Sequence, residues 1–358
     1  MNKRWICGDI WVDMFPFFDR PQLGLKIALL SDRFDALIDA HFAGKPTELT
    51  LWNDITISKE DKGPKSKLSV WRIDDNFLEF PLPDHPLPSK IRFKDLRIWY
   101  IDDSVLAFLR ANKQIWDRRG TKLELSITNV QQIWDVLASE IWPVFVSNLR
   151  HLTFYTTEDL DNLRRRTSPT ILTDCDQLNS IKSGALFPDV IADDGPNATA
   201  GQALSKWLHI PRKDGQSKRL FCADYGEEVN LDWINSFKEA FLRATASVNY
   251  KIRIDLYEST PIGTFELVNE RTQEKLTLLF VEEIVEEDGY EFTKKWLLNR
   301  CPISEKATAV QWENDENWDD NLNNVHFSLW GDINKSIGPL SPSAAEEEKE
   351  EADESNEN

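Results

Sequence analysis

Four short apolar runs, each starting on leucine and each leading toward a turn or helix pattern, recur through the middle of the chain. Leu96 to Ile101 (LRIWYI), Leu123 to Ile127 (LELSI), Leu149 to Tyr155 (LRHLTFY) and Leu178 to Ile181 (LNSI) read as strands. Their starts are spaced by 27, 26 and 29 residues. Val105 to Trp116, Val130 to Glu140 and Glu158 to about Arg165 carry helical periodicity. Asp102-Asp103-Ser104 opens the first of these, Thr157 caps the last and Pro143 stops the second. One strand–loop–helix unit cannot bury its own apolar face, so successive units must stack. The expected body is therefore an α/β solenoid laid out like a leucine-rich repeat, without the asparagine ladder. The same alternation also fits a doubly wound α/β sheet.

The pattern resumes with Leu220 to Ala223, a helix from Leu231 to Ala244 and a strand from Tyr250 to Tyr257. Period-2 alternation then predicts a hairpin, Gly263 to Val268 and Lys275 to Val281, around a turn at Asn269 to Glu274. Trp296 to Cys301 can add a third strand and Val325 to Trp330 a last one. Upstream, Leu49 to Ile57 and Leu68 to Ile73 read as strands around a polar loop at Lys59 to Lys67. Pro81 to Pro88 (PLPDHPLP) has polyproline character, either a ligand for a proline-binding domain or a loop across a domain seam. From Ser336 onward the composition is that of a disordered acidic tail.

The first forty-odd residues have the helical period instead. Ile6, Ile10, Met14, Phe17 and Phe18 recur at three- and four-residue spacing. Leu25, Leu29 and Leu30, then Phe34, Leu37, Ile38 and Phe42, do the same. Asp19-Arg20-Pro21-Gln22 separates the first two blocks, and Ser31-Asp32 gives an N-cap pause before the third. Three helices this short should not cover their own apolar faces, so something else must.

These residues carry a resemblance. An apolar residue, an acid, an aliphatic-aromatic run ending in Phe17-Phe18, a proline turn, a Leu-rich helix and a Ser-x-Arg-aromatic step resemble an F-box. The run Leu23 to Arg33 and the later Arg300-Cys301-Pro302-Ile303 are similar to nematode F-box domain-containing proteins, and most of the chain looks like that family. Ile6-Cys7 stands where the common motif has Leu-Pro, Phe34 where a Trp is usual, and the turn is one residue longer. The resemblance implies docking on the adaptor Skp1, through it a cullin complex, and the role of substrate receptor in an SCF-type ubiquitin ligase. Ile6, Ile10, Phe15, Phe18, Leu25 and Leu29 would then supply apolar surface to Skp1. The other reading is a protein-binding module without Skp1 docking, its helices serving as a structural cap.

Charge narrows the partners. The chain carries 61 acids against 42 bases, a net −19. Eight acids and one lysine in Glu346 to Asn358 account for part of this, and the rest stays acidic. Nonspecific nucleic-acid binding and anionic membrane surfaces need the opposite sign, so neither is an expected partner. Cys7, Cys175, Cys222 and Cys301 are far apart, as are the five histidines, so neither a disulfide framework nor a zinc site is expected. The opening Met-Asn-Lys-Arg-Trp has no apolar h-region, and no run of 18 apolar residues exists, so neither a signal peptide nor a membrane span is expected.

Phosphate loops, zincin motifs and nucleophile elbows are absent from the sequence. Asp102-Asp103, Asp193-Asp194 and Asp319-Asp320 sit where caps and solvated loops explain them, and Glu282 to Asp288 lacks the pattern of a calcium loop. The expectation is a non-enzyme with no catalytic, metal or cofactor residues, in the cytoplasm, the nucleus or both. Candidate substrate contacts on the body are Trp99, Tyr155, Tyr225 and the basic triplet Arg164, Arg165 and Arg166, the triplet suited to an acidic or phosphorylated partner. The expected division is an F-box-like unit at 1–48, an α/β body at 49–260, a β-rich block at 261–335 and a tail at 336–358.

Overall fold

A computed structural model of the chain describes residues 7–18, 22–43, 55–60, 63, 65–71, 77–87, 93–128, 130–184, 186–224, 232–257, 263–285, 292–305, 322–329 and 333–340. Residues 1–112 with 329–358 form one compact unit, and residues 113–328 form another.

In the first unit, α1 (Gly8–Met14) runs into a tight turn at Phe15–Phe17. Helical turns at Leu23–Ile27 and Ala28–Leu30 lead to α2 (Asp32–Ala43). The carbonyl of Ser31 accepts the Asp35 N–H at 3.1 Å, starting α2. Phe15, Leu23, Ala28 and Ile38 form a small core, with Trp11, Val12, Phe18, Ile27, Phe34 and Leu37 packed against it. Trp11 meets Phe34 edge-on at 4.9 Å, and Phe15 meets His41 at 5.4 Å. The helices therefore cover one another in part, which short apolar periods alone did not predict.

β1 (Ile55–Lys59), β2 (Ser66–Trp71) and β3 (Phe77–Pro81) make an antiparallel meander, and β4 (Leu96–Ile98) joins β1 in parallel. The Asp102 carboxylate accepts the Val105 N–H at 3.0 Å and so caps α3 (Asp103–Ala111). The predicted helix through Trp116 breaks at Asn112. That side chain is buried, donates to the Phe108 carbonyl and accepts the Leu87 N–H, both at 2.8 Å. Much of the Pro81 to Pro88 stretch is thereby a pinned loop with Leu87 buried. Ser336 and Ile337 are buried too, and Ile101 exchanges backbone hydrogen bonds with Ser336 and Gly338. The order expected to end at Ser336 thus continues past it, and residues 341–358 lie outside the described residues.

The second unit runs α4 (Lys113–Arg119), β5 (Thr121–Ile127), α5 (Gln131–Val136), α6 (Trp142–Phe145), β6 (Leu149–Phe154), α7 (Thr157–Arg166), α8 (Ile171–Asp174) and β7 (Ser180–Ser183). It continues with α9 (Ala200–Leu208), β8 (Lys218–Asp224), α10 (Asp232–Arg243), β9 (Tyr250–Tyr257), β10 (Phe265–Asn269), β11 (Glu274–Val285), β12 (Phe292–Pro302) and β13 (Asn323–Leu329). Its strands are ordered β10-β11-β12-β9-β8-β7-β6-β5-β13. From β5 to β9 each strand lies parallel beside the next in sequence. Right-handed crossovers that step one way place every connecting helix on the same face. The order never reverses between β5 and β9, so the doubly wound alternative does not describe this unit. Leu96–Ile98 is not a rung of this series, because it pairs with β1. The fold is mixed α/β.

The hairpin β10–β11 forms as predicted. β12 pairs antiparallel with β9 along its length, so the β-rich block is one edge of the same sheet. A buried ion pair helps fix this edge. Arg300 donates from Nε and Nη2 to Glu274 Oε2 at 3.0 and 2.7 Å, the two side chains being 3% and 1% exposed. Glu274 Oε1 also accepts from Ser247 Oγ and the Val248 N–H, and Arg300 reaches the Ala246 carbonyl at 2.8 Å. Glu274→Ala would leave the guanidinium buried and unpaired. A loss of about 3–5 kcal/mol is expected, read from urea unfolding against the wild-type chain.

Candidate functional site

Strand register divides the second unit's sheet into an apolar face and a polar one. Leu123, Leu152, Ile181, Leu220, Ile252, Leu298 and Leu278 stand side by side on successive strands from β5 to β11, all fully buried toward the helices. Side chains alternate along a strand, so the neighbouring positions point the other way. One row there is Lys122, His151, Ser180, Arg219, Lys251 and Asn299. The next is Glu124, Thr153, Lys182, Phe221, Arg253 and Leu297. Two rows of this face thus hold five cations and one carboxylate, in a chain where acids predominate.

The charges are fixed by local chemistry. Glu124 is bonded by the Tyr155 hydroxyl and lies 3.0 Å from His326 Nδ1. Burial pushes the Glu124 carboxyl up, but the bonds from His326 and Tyr155 outweigh it and hold it at about 2. The same burial and bond raise the Tyr155 phenol. Phe221 lies between two cations, with Lys182 Nζ 5.0 Å and the Arg253 guanidinium 4.9 Å from its ring centre. Arg253 also pairs with Asp255 at 2.9 Å. His151 is buried, 3.1 Å from the Thr153 hydroxyl. Burial first, then Lys122 and Lys182, hold its imidazole down to about 3. Gly184 permits the strand ends to close, since a Cβ there would stand 1.9 Å from the Tyr155 carbonyl oxygen.

On the helix side lies a cleft of about 880 Å³, lined by Asp161, Arg165, Phe187, Asn197 and Trp233 among others. Phe187 and Trp233 stack at 5.2 Å, and the Trp233 indole N–H is buried without a hydrogen-bond partner. The basic triplet divides here. Arg164 is buried and donates to the carbonyls of Pro169, Gly195 and Ala198 at 3.1, 3.2 and 2.7 Å, so it builds the cleft wall. Arg166 pairs with Asp135 at 2.6 Å and with Asn162 at 3.0 Å. Arg165 alone of the three is exposed, its nearest partner Asp161 at 3.9 Å. A smaller cleft of about 310 Å³ holds Lys218, whose ammonium meets the Trp207 carbonyl and lies 4.8 Å from the Trp207 ring. Burial, then Arg212, lowers this lysine to about 8.

Among the other sequence candidates, Trp99 and Tyr155 are exposed, Tyr155 at the end of β6 beside the polar face and Trp99 in the first unit. Tyr225 and Ile6 lie outside the described residues, as does the side chain of Leu29. Phe15 and Leu25 are buried and Phe18 packs against the helical core, whereas Ile10 is exposed. The outward apolar surface of the helices is thus Ile10, Met14, Phe17 and Leu30. Met14, Phe17 and Leu30 belonged to the apolar period but not to the candidates, because period alone does not say which side of a short helix is covered. Lys122, Lys182, Arg219 and Arg253 were unmarked for another reason: single lysines and arginines on separate strands make no motif until register aligns them.

Among the described residues, no group of three or more His, Cys, Asp or Glu is placed to hold a metal ion. No described helix is long and apolar enough to cross a membrane. No protein-family model, curated protein or solved structure matches the chain.

His151 carries a pH test. An unfolded histidine titrates near ~6.5. Below that pH the unfolded chain binds a proton that native His151 refuses, so its contribution to stability falls as pH drops from about 6.5. Half-buried His209 is lowered likewise by burial and shares the effect. Between about pH 6.5 and 5 the His151 share is on the order of 1–2 kcal/mol. Urea unfolding of His151→Gln across that range should be flatter than wild type by this amount.

Proposed function

We propose that the chain is a substrate-recognition subunit of an SCF-type ubiquitin ligase. The N-terminal helices dock on a Skp1-like adaptor and through it a cullin complex. The second unit, in this reading a leucine-rich-repeat-like α/β body, holds a protein substrate. The observation that carries the reading is the exposure of large apolar side chains on an otherwise self-packed helical unit: Phe17 at 83%, Leu30 at 66%, Ile10 at 55% and Met14 at 43%. Apolar anchors grouped on so small a unit suit a protein interface. The resemblance of Leu23 to Arg33 to an F-box names the partner class. In this reading the chain itself makes and breaks no bond. It raises the local concentration of substrate lysines beside a charged conjugating enzyme, in the cytoplasm, the nucleus or both.

The test is co-purification of the full chain with Skp1. The wild-type chain should retain the adaptor. Ile10→Asp and Phe17→Asp sit on exposed positions and should preserve the fold while weakening capture at least tenfold, as loss of an interface anchor does. A wild-type chain that is folded by circular dichroism yet holds no Skp1 would leave the reading as a protein-binding module without adaptor docking.

A further inference from the structure

We propose that the polar face of the second unit's sheet binds an extended acidic segment of a partner protein. Three observations carry this. The face concentrates positive charge against the trend of the whole chain: Lys122, Arg219 and Lys251 in one row, Lys182 and Arg253 in the next, against Glu124 in these rows and Asp255, paired with Arg253, in the row beyond. Glu124, held ionised by Tyr155 and His326, offsets one of these charges, so the cations stay in excess. Burial holds His151 neutral, and Lys122 and Lys182 on the neighbouring strands add to that effect against Glu124. Lys122 is half-buried and Lys182 exposed, which leaves cationic ends within reach of a ligand.

Geometry sets the ligand's form. Lys122 on β5 and Lys251 on β9 are four strand steps apart, about 19 Å at the usual interstrand spacing. An extended chain covers that distance in roughly six residues. Alternate carboxylates of such a segment would meet the exposed Lys182 and the half-buried Lys122 and Arg219, while buried Lys251 and the Asp255-paired Arg253 lie behind them. Phe221, between Lys182 and Arg253, adds an apolar contact at the centre. A nucleic acid is disfavoured. The charged strip ends within these few strands and the chain as a whole repels a long polyanion.

This inference deepens the receptor reading by giving the substrate an acidic recognition segment, and it rests on that reading only for calling the ligand a substrate. The experiment uses the full chain alone, without Skp1, so either can fail while the other stands. The probe is a fluorescein-labelled octapeptide rich in glutamate, followed by anisotropy at low salt, beside the same peptide with glutamine for glutamate and a short single-stranded oligonucleotide. The expected result is saturable binding of the glutamate peptide. It should weaken about tenfold with Lys182→Glu or with Lys122→Glu, and weaken with added salt. Thermal melts should show both variants folded, and the milder Lys182→Gln should weaken binding in the same direction. Arg165→Glu, on the helix side by the cleft, should leave the affinity unchanged. The proposal is overturned by no saturable binding at low salt, by equal binding of the glutamine peptide, by an equal loss with Arg165→Glu, or by tighter binding of the oligonucleotide.

Discussion

One row of seven aliphatic side chains, Leu123 across to Leu278, sets everything else in the second unit. Each is fully buried, and burying a leucine or isoleucine is worth about 1.5–3 kcal/mol. A slip of one residue would turn such a side chain to the polar face and, on β5, β7, β8 or β9, drive a lysine, arginine or glutamate into the helix-packed interior. The register is therefore held by the core, and the polar face follows from it. Lys122, Arg219 and Lys251 align because Leu123, Leu220 and Ile252 do. The apolar row and the cationic rows are two consequences of one constraint.

The antiparallel edge is fixed by a different device. A buried guanidinium and carboxylate gain little over a hydrophobic pair once desolvation is counted, but they are costly to separate. Arg300 and Glu274 face each other across β12 and β11, and both also bind the 246–248 segment that precedes β9. Arg300 further lies 5.3 Å from the Phe241 ring at the end of α10. Helix end, loop and two strands are thus tied at one point. The pairing of β12 with β9 then continues both polar rows to Asn299 and Leu297.

Much of the element order was legible in the chain. Thr121 to Ile127 and Tyr250 to Tyr257 are strands because their alternation is strict, and the hairpin is announced by the turn at Asn269 to Glu274. Less was legible where a side chain answers to distant sequence. Nothing local to Asn112 says that it will hold the Leu87 backbone, so the helix break and the pinned proline loop were both hidden. Leu96 looks like a first rung, yet its partner is Ile55. Arg164, Arg165 and Arg166 look alike in sequence and become a buried clamp, an exposed charge and an ion-pair partner, because a helix turns each one to a different neighbour. The cationic rows needed four pairings to appear. On the stretch that carries the F-box resemblance, burial assigns the outward apolar surface to residues such as Phe17 and Leu30 rather than to Phe15 and Leu25.

The account separates two surfaces: an apolar one on the helices of the first unit and a polar, cationic one on the sheet of the second. Hydrogen exchange of the full chain, with and without Skp1, tests that separation most directly. The account predicts slowed exchange in residues 8–18 and 22–43 on adding Skp1, with amides of 113–328 unchanged. Slowed exchange confined to 113–328, or none anywhere in the chain at saturating Skp1, would contradict it.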